Sequence, residues 1–174
     1  ITDEGKFIGS KAEPQAKIWL NTQSWAVISG MGDREKQISA MDSVKKYLDT
    51  PLGIKKIEPS MTTDYPSKEG ALTCYNKGCG ENGSVFCHAN TWAIIAECML
   101  KRPENAYKYY HQLLPMIAQE KAGEWRYKAE PYVYASNIFG PESDKFGLAN
   151  VSWLTGTAAW MYVAVTQYMF GIKP

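Results

Sequence analysis

The chain has 174 residues, 45% of them hydrophobic and 13% aromatic, which is enough apolar content for one domain with a sizeable core and excludes a disordered segment. Its formal net charge is +1 and no long run of like charge occurs, so no electrostatic ground exists for a nucleic-acid partner or an anionic membrane. Four cysteines, Cys74, Cys79, Cys87 and Cys98, crowd together without a C-x-x-C pair, and they read as free thiols in a reducing compartment rather than as a metal centre.

Residues 1–16 read as an irregular lead-in broken by Gly5, Gly9 and Pro14. The chain opens on Ile1 rather than methionine, which predicts a fragment or a processed chain, and the polar start, without an apolar signal core, predicts a cytoplasmic protein. From Lys17 the residues Ile18, Trp19, Trp25, Val27 and Ile28 form an apolar segment that should stop near Gly30-Met31-Gly32. Asp33 is a capping residue for a second helix, whose inner face is Ile38, Met41, Val44, Tyr47 and Leu48.

The stretch from Thr50 to Gly83 has no sustained period, and loops of that length are uncommon unless they carry function. It ends in a polar, glycine-punctuated run, Cys79 to Trp92, that enters an apolar helix over Val85–Leu100. Ser84 is the N-cap candidate there, and His88 falls near the first turn. Pro103 starts the next helix, with Tyr107, Tyr110, Leu113 and Leu114 inward, and an antiparallel partner follows Pro115. A second irregular region covers 123–149. The last element, Ser152 to Gly171, is apolar nearly throughout and long enough to cross a bilayer. Thr155, Thr157, Thr166 and Gln167 inside it, and the lack of a basic flank, favour instead a helix surrounded by other helices. The fold class read from these elements is all-α: helix pairs joined by tight turns and by long rim loops, part of an α/α toroid.

Two helix openings carry chemistry. His88 sits where unpaired N–H groups and partial positive charge favour an anion, with Glu81 one loop away. Ser152-Trp153-Leu154-Thr155-Gly156-Thr157 repeats the pattern, with Ser152 as the capping serine followed by a threonine hydroxyl and a glycine that admits an oxyanion close to the backbone. If both openings face one cavity, His88, Thr155 and the Gly156 N–H converge on a single anion, with phosphate the natural candidate. The competing reading is a capping loop with a packed histidine and a glycine kept for close helix packing. Cys79, Cys87 and His88 match no common metal-ligand spacing, so no metal is expected.

The segments Ile18 to Ala26, Glu81-Asn82-Gly83, His88-Ala89-Asn90-Thr91-Trp92, Glu130-Pro131-Tyr132-Val133-Tyr134, Trp153 to Thr157 and Gly171 to Pro174, in this order, resemble the C-terminal part of the cellobiose and chitobiose phosphorylases, glycoside hydrolase family 94. The resemblance implies an (α/α)6 catalytic barrel, with residues 17–174 as its C-terminal portion. It implies inverting phosphorolysis of a β-linked disaccharide to a sugar 1-phosphate and a free sugar, with inorganic phosphate as co-substrate and no cofactor. His88, Thr155 and Gly156 match the family's phosphate-binding positions. Glu81 matches a position that hydrogen-bonds the acceptor sugar, and Tyr75 falls where a residue lining that subsite varies. Ser136 stands where many members have glutamine near the donor sugar, and Gly80 where cellobiose enzymes have lysine; both depart from the cellobiose pattern. The family's general acid, an aspartate in a Trp-Asn-Asp-type motif, has no match, since Asp33 and Asp42 read as helix-surface residues. The resemblance therefore implies roughly the last third of such an enzyme, inactive alone, with the remainder of the phosphorylase chain as partner and the choice between monomer and homodimer open. Rival readings are the terminal domain of a cyclic β-glucan synthase, a non-catalytic glycan- or phosphate-binding helical module, and a structural α/α repeat.

Overall fold

A computed structural model of the chain describes residues 5, 7, 9, 10, 12–62 and 74–173. Strand β1 (Ile18–Trp19) runs straight into α1 (Leu20–Ile28), which stops before the Gly30-Met31-Gly32 turn as the sequence predicts. Asp33 caps α2 (Arg34–Tyr47) by accepting the Lys36 N–H at 2.9 Å, and the Lys36 ammonium pairs with the same carboxylate. Of the inner face read from the spacing, Met41, Val44 and Leu48 are fully buried. Ile38 and Tyr47 stay exposed at the edge of the stripe.

The described part of the long aperiodic stretch is not a plain loop. It folds into β2 (Asp49–Thr50), β3 (Gly53–Ile54) and β4 (Ile57–Glu58), with β2 pairing β3 and β4 pairing back onto β1, all antiparallel. After it come β5 (Val85–Phe86), α3 (Cys87–Met99), α4 (Pro103–Leu113), α5 (Pro115–Ala122) and the single turn α6 (Glu124–Tyr127). The second irregular region supplies β6 (Ala135–Ile138); β7 (Ala149–Ser152) begins at its end and takes in Ser152, so the last helix starts later than the sequence predicts, as α7 (Thr157–Val163), which continues as a π-helix over Ala164–Met169. The architecture therefore combines helices with small two- and three-stranded sheets rather than being strictly all-α. Strands of two to four residues leave no alternation for a sequence pattern to reveal.

The helix buried on most of its faces is α3, not the last one. Ala89, Ala93, Ile94, Ile95 and Ala96 are buried where α1, α4 and α7 pack around it. Asn90 ties this helix to the small strands, accepting the Ile54 N–H at 2.7 Å and donating to the Ile54 carbonyl at 2.8 Å. The final helix buries Thr157, Met161 and Ala164 but exposes Tyr162 and Phe170, which corrects the expectation of a fully surrounded segment. Among the described residues no helix is long and apolar enough to cross a membrane.

Candidate functional site

The three-stranded sheet explains how two distant helix openings meet. β6 lies between β5 and β7 and pairs antiparallel with both, so β5 and β7 run parallel to each other. The chain leaves both in the same direction. From β5 it passes at once into α3, where His88 is the second helical residue; from β7 it passes through Trp153 to Gly156 into α7. The capping serines foreseen from the sequence are not the caps. Ser84 donates its hydroxyl to the Gly80 carbonyl, Ser152 lies in β7, and Phe86 and Gly156 occupy the capping positions.

His88 and Gly156 are in direct contact. A Cβ built on Gly156 would lie 2.9 Å from His88 Cε1 and 3.1 Å from Nδ1, closer than a side-chain carbon sits in real structures. Only glycine lets the imidazole approach this backbone. Beside it, the Thr155 and Thr157 hydroxyls are 2.6 Å apart, and Thr155 Oγ1 accepts the Thr157 N–H at 3.2 Å, which holds the Thr155 hydroxyl at the helix start.

Indoles form the floor. Trp92 is one turn beyond His88 on α3 and its ring centroid is 4.8 Å from the imidazole. Trp160 is one turn beyond Gly156, 6.2 Å from the imidazole, and meets Trp92 edge-on at 5.9 Å. Trp25 of α1 packs against Trp92 at 5.4 Å. Burial against these rings, reinforced by the positive charge of Lys56, holds the His88 pKa below that of a free imidazole, so the ring is neutral at pH 7. Its Nε2 is buried and has no hydrogen-bond partner among the described residues. A neutral imidazole supplies one N–H donor and one acceptor, and an unpartnered buried nitrogen marks a place where a ligand group would be accommodated.

Glu81 forms an ion pair with Lys56, whose ammonium lies 4.3 Å from the centre of the Phe86 ring, two residues before His88. Burial pulls the Lys56 pKa down to about 8. Lys56 links the acidic loop electrostatically to the imidazole, and sequence reasoning missed it: Lys55-Lys56 in an aperiodic stretch looks like a solvated pair. Asn82, next to Glu81, is structural, accepting the Met61 N–H at 2.7 Å and donating to the Met61 and Tyr75 carbonyls at 2.9 Å. Tyr75 is half exposed and its ring lies over Gly80, where a Cβ would come within 2.7 Å of the ring carbons. Gly80 has φ +51, so both the ring and the backbone favour glycine there over lysine. Ser136 sits in β6, the strand between the two that open onto α3 and α7. Among the described residues no group of three His, Cys, Asp or Glu side chains is placed to hold a metal ion.

The sequence matches the model of the glycosyl hydrolase 94 superfamily, catalytic domain, over residues 1–171. It is 37% identical over 172 residues to a solabiose phosphorylase of Paenibacillus borealis, covering 99% of this chain and 22% of that protein. It is 38% identical over 174 residues to an N,N'-diacetylchitobiose phosphorylase of Vibrio proteolyticus, covering 99% of this chain and 21% of that protein. A cyclic β-(1,2)-glucan synthase of Rhizobium meliloti is 32% identical over 98% of the chain, which there amounts to 6% of the larger protein. The chain spans about a fifth of the length of the phosphorylases it matches.

Proposed function

This chain belongs to the catalytic domain of the glycosyl hydrolase 94 superfamily, and from that premise we propose that it carries the phosphate-holding part of an inverting glycoside phosphorylase. The enzyme it serves cleaves a β-linked disaccharide with inorganic phosphate, releasing a sugar 1-phosphate and a free sugar. The observation that carries this reading is the contact of the His88 imidazole with Gly156, which puts two helix openings on one point. One phosphate there takes hydrogen bonds from the His88 N–H, the Thr155 hydroxyl and the Gly156 N–H, over an indole floor that keeps water out and strengthens each bond.

The chemistry needs few side chains. An inverting hydrolase uses one carboxylic acid on the leaving oxygen and one carboxylate to activate water. Phosphate is already nucleophilic, so a phosphorylase keeps the acid and replaces the base with groups that aim phosphate at the anomeric carbon from the face opposite the leaving sugar. In this reading His88, Thr155 and Gly156 do the aiming. Glu81, steered by Lys56, and Tyr75 bind the acceptor sugar, and Ser136 lies near the donor. Neither Asp33, which caps α2, nor Asp42, paired with Arg102, is free to serve as the acid. The chain alone is accordingly inactive and forms the C-terminal portion of an (α/α)6 barrel completed by the rest of the enzyme. The four free thiols agree with a cytoplasmic setting.

Calorimetric titration of the chain with inorganic phosphate tests the site: His88→Ala and Thr155→Ala should each weaken binding by about 1–3 kcal/mol. Equal affinity in parent and variants would remove the assignment. Incubation with phosphate and cellobiose, laminaribiose or chitobiose tests the second claim, because sugar 1-phosphate released by the chain alone would contradict it.

A further inference from the structure

Just before Thr155 and Gly156 the backbone is twisted in a way side-chain-bearing residues rarely adopt. Val151 has φ +54 and Trp153 has φ +69, with Ser152 between them. The first is β-branched, for which the left-handed region is least favourable. The ladder continues on both sides of it, with Asn150 opposite Asn137 and Ser152 opposite Ala135, so the twist lies inside a paired strand rather than in a free loop. Such a conformation persists only where its surroundings hold it. Apolar burial is not the holding force, since Trp153 is 69% exposed and Leu154 is 75% exposed. Besides the ladder, the segment meets a carboxylate. Glu130 Oε1 accepts the Trp153 indole N–H at 3.1 Å, and the Ser152 side chain interacts with the same group. Glu130 is itself fixed in the turn that leads into β6, where its carbonyl accepts the Val133 N–H at 3.3 Å.

We propose that Glu130 and Trp153 are positioning residues of the phosphate site: the indole–carboxylate hydrogen bond holds the Val151–Trp153 twist so that Thr155 and Gly156 face the His88 imidazole. This rests on the phosphate reading given above. Neither side chain touches the anion; each acts through the backbone that leads to Gly156. The twist falls at the end of β7, on the approach to α7, and a backbone released there relaxes toward an ordinary strand and draws Gly156 off the imidazole.

The test is an NMR titration of the isotope-labelled chain with inorganic phosphate, following the His88 ring and the Gly156 amide, in Glu130→Ala, Glu130→Gln and Trp153→Phe. Glu130→Ala and Trp153→Phe should weaken phosphate binding roughly tenfold, with amides of α1 and α2 unmoved. Glu130→Gln, whose amide oxygen still accepts the indole N–H, should stay within about twofold of the parent. Parent-like affinity in Glu130→Ala and Trp153→Phe, or an equal loss in Glu130→Gln, overturns the proposal. Should the parent itself bind no phosphate, the phosphate reading fails while the positioning is still decided by the free protein. A Gly156 amide displaced in Glu130→Ala and Trp153→Phe but not in Glu130→Gln supports it, and an undisplaced amide refutes it.

Discussion

At Gly156 the absence of one carbon atom lets the His88 imidazole meet the backbone, on which the proposed phosphate site depends. A methyl group placed there must push the imidazole away, because its built position is 2.9 Å from His88 Cε1. Gly156→Ala should therefore abolish the phosphate-dependent shift of the His88 ring while far-ultraviolet circular dichroism stays unchanged. A shift retained at parent amplitude would show that the contact is incidental. The imidazole also sets a pH dependence. Its pKa is lowered in the folded chain by burial and by Lys56, whereas the unfolded chain protonates near the free value of about 6.5. The unfolded state thus binds more protons between the two values, and stability falls as pH drops through that window. Urea midpoints at pH 7 and pH 5.5 should diverge in the parent, and His88→Gln should narrow the gap. His88, Thr155, Gly156 and Glu81 were legible as polar residues at helix starts or beside a glycine turn. Lys56 was not, because its ion pair and its seat on Phe86 depend on contacts made across the fold.

Among the elements, α2 was readable because Asp33, the apolar stripe and the basic last turn agree, and α4 because Pro103 stands at its first position. The sheet β5–β6–β7 was not readable, although it does the most to assemble the site. Its strands are too short for a period: β5 has two residues, and β6 and β7 have four each. The capping role assigned to Ser84 failed because β5 intervenes between it and α3, and that assigned to Ser152 because this residue ends β7. Asn90 was part of a recognisable motif, yet its work is structural: it satisfies both backbone groups of Ile54. Asn90→Ala leaves that buried N–H and carbonyl without partners and should lower stability by about 2–4 kcal/mol. Chemical denaturation reads the loss, and a change below about 0.5 kcal/mol would show that the contact between α3 and β3 is dispensable.

At the scale of the whole molecule, the described residues form a main core centred on α3, a small second cluster of Ala16, Ile57 and Met61, and an exposed aromatic margin. Trp125, Trp153, Leu154, Tyr162 and Phe170 are all exposed, and the last helix covers only one of its faces. The phosphorylases this chain matches are about five times longer, and in the proposed enzyme such surfaces would be contacts for the remainder of the polypeptide. Mixing this chain with a polypeptide carrying the remainder of such an enzyme should therefore restore phosphorolysis and slow hydrogen exchange at Tyr162 and Phe170; activity without protection of those residues would place the contact elsewhere. The expectation of a purely helical molecule gave way to helices with small sheets, and one of these sheets, β5–β6–β7, sets the beginnings of α3 and α7 side by side.

The most direct measurement is a phosphate titration of the intact chain in which the His88 ring and the Gly156 amide are followed together by NMR. One anion held by both openings predicts that the two signals move with a single dissociation constant and that His88→Ala removes the response at Gly156. Signals that stay still, or that follow two unrelated constants, would contradict the shared site.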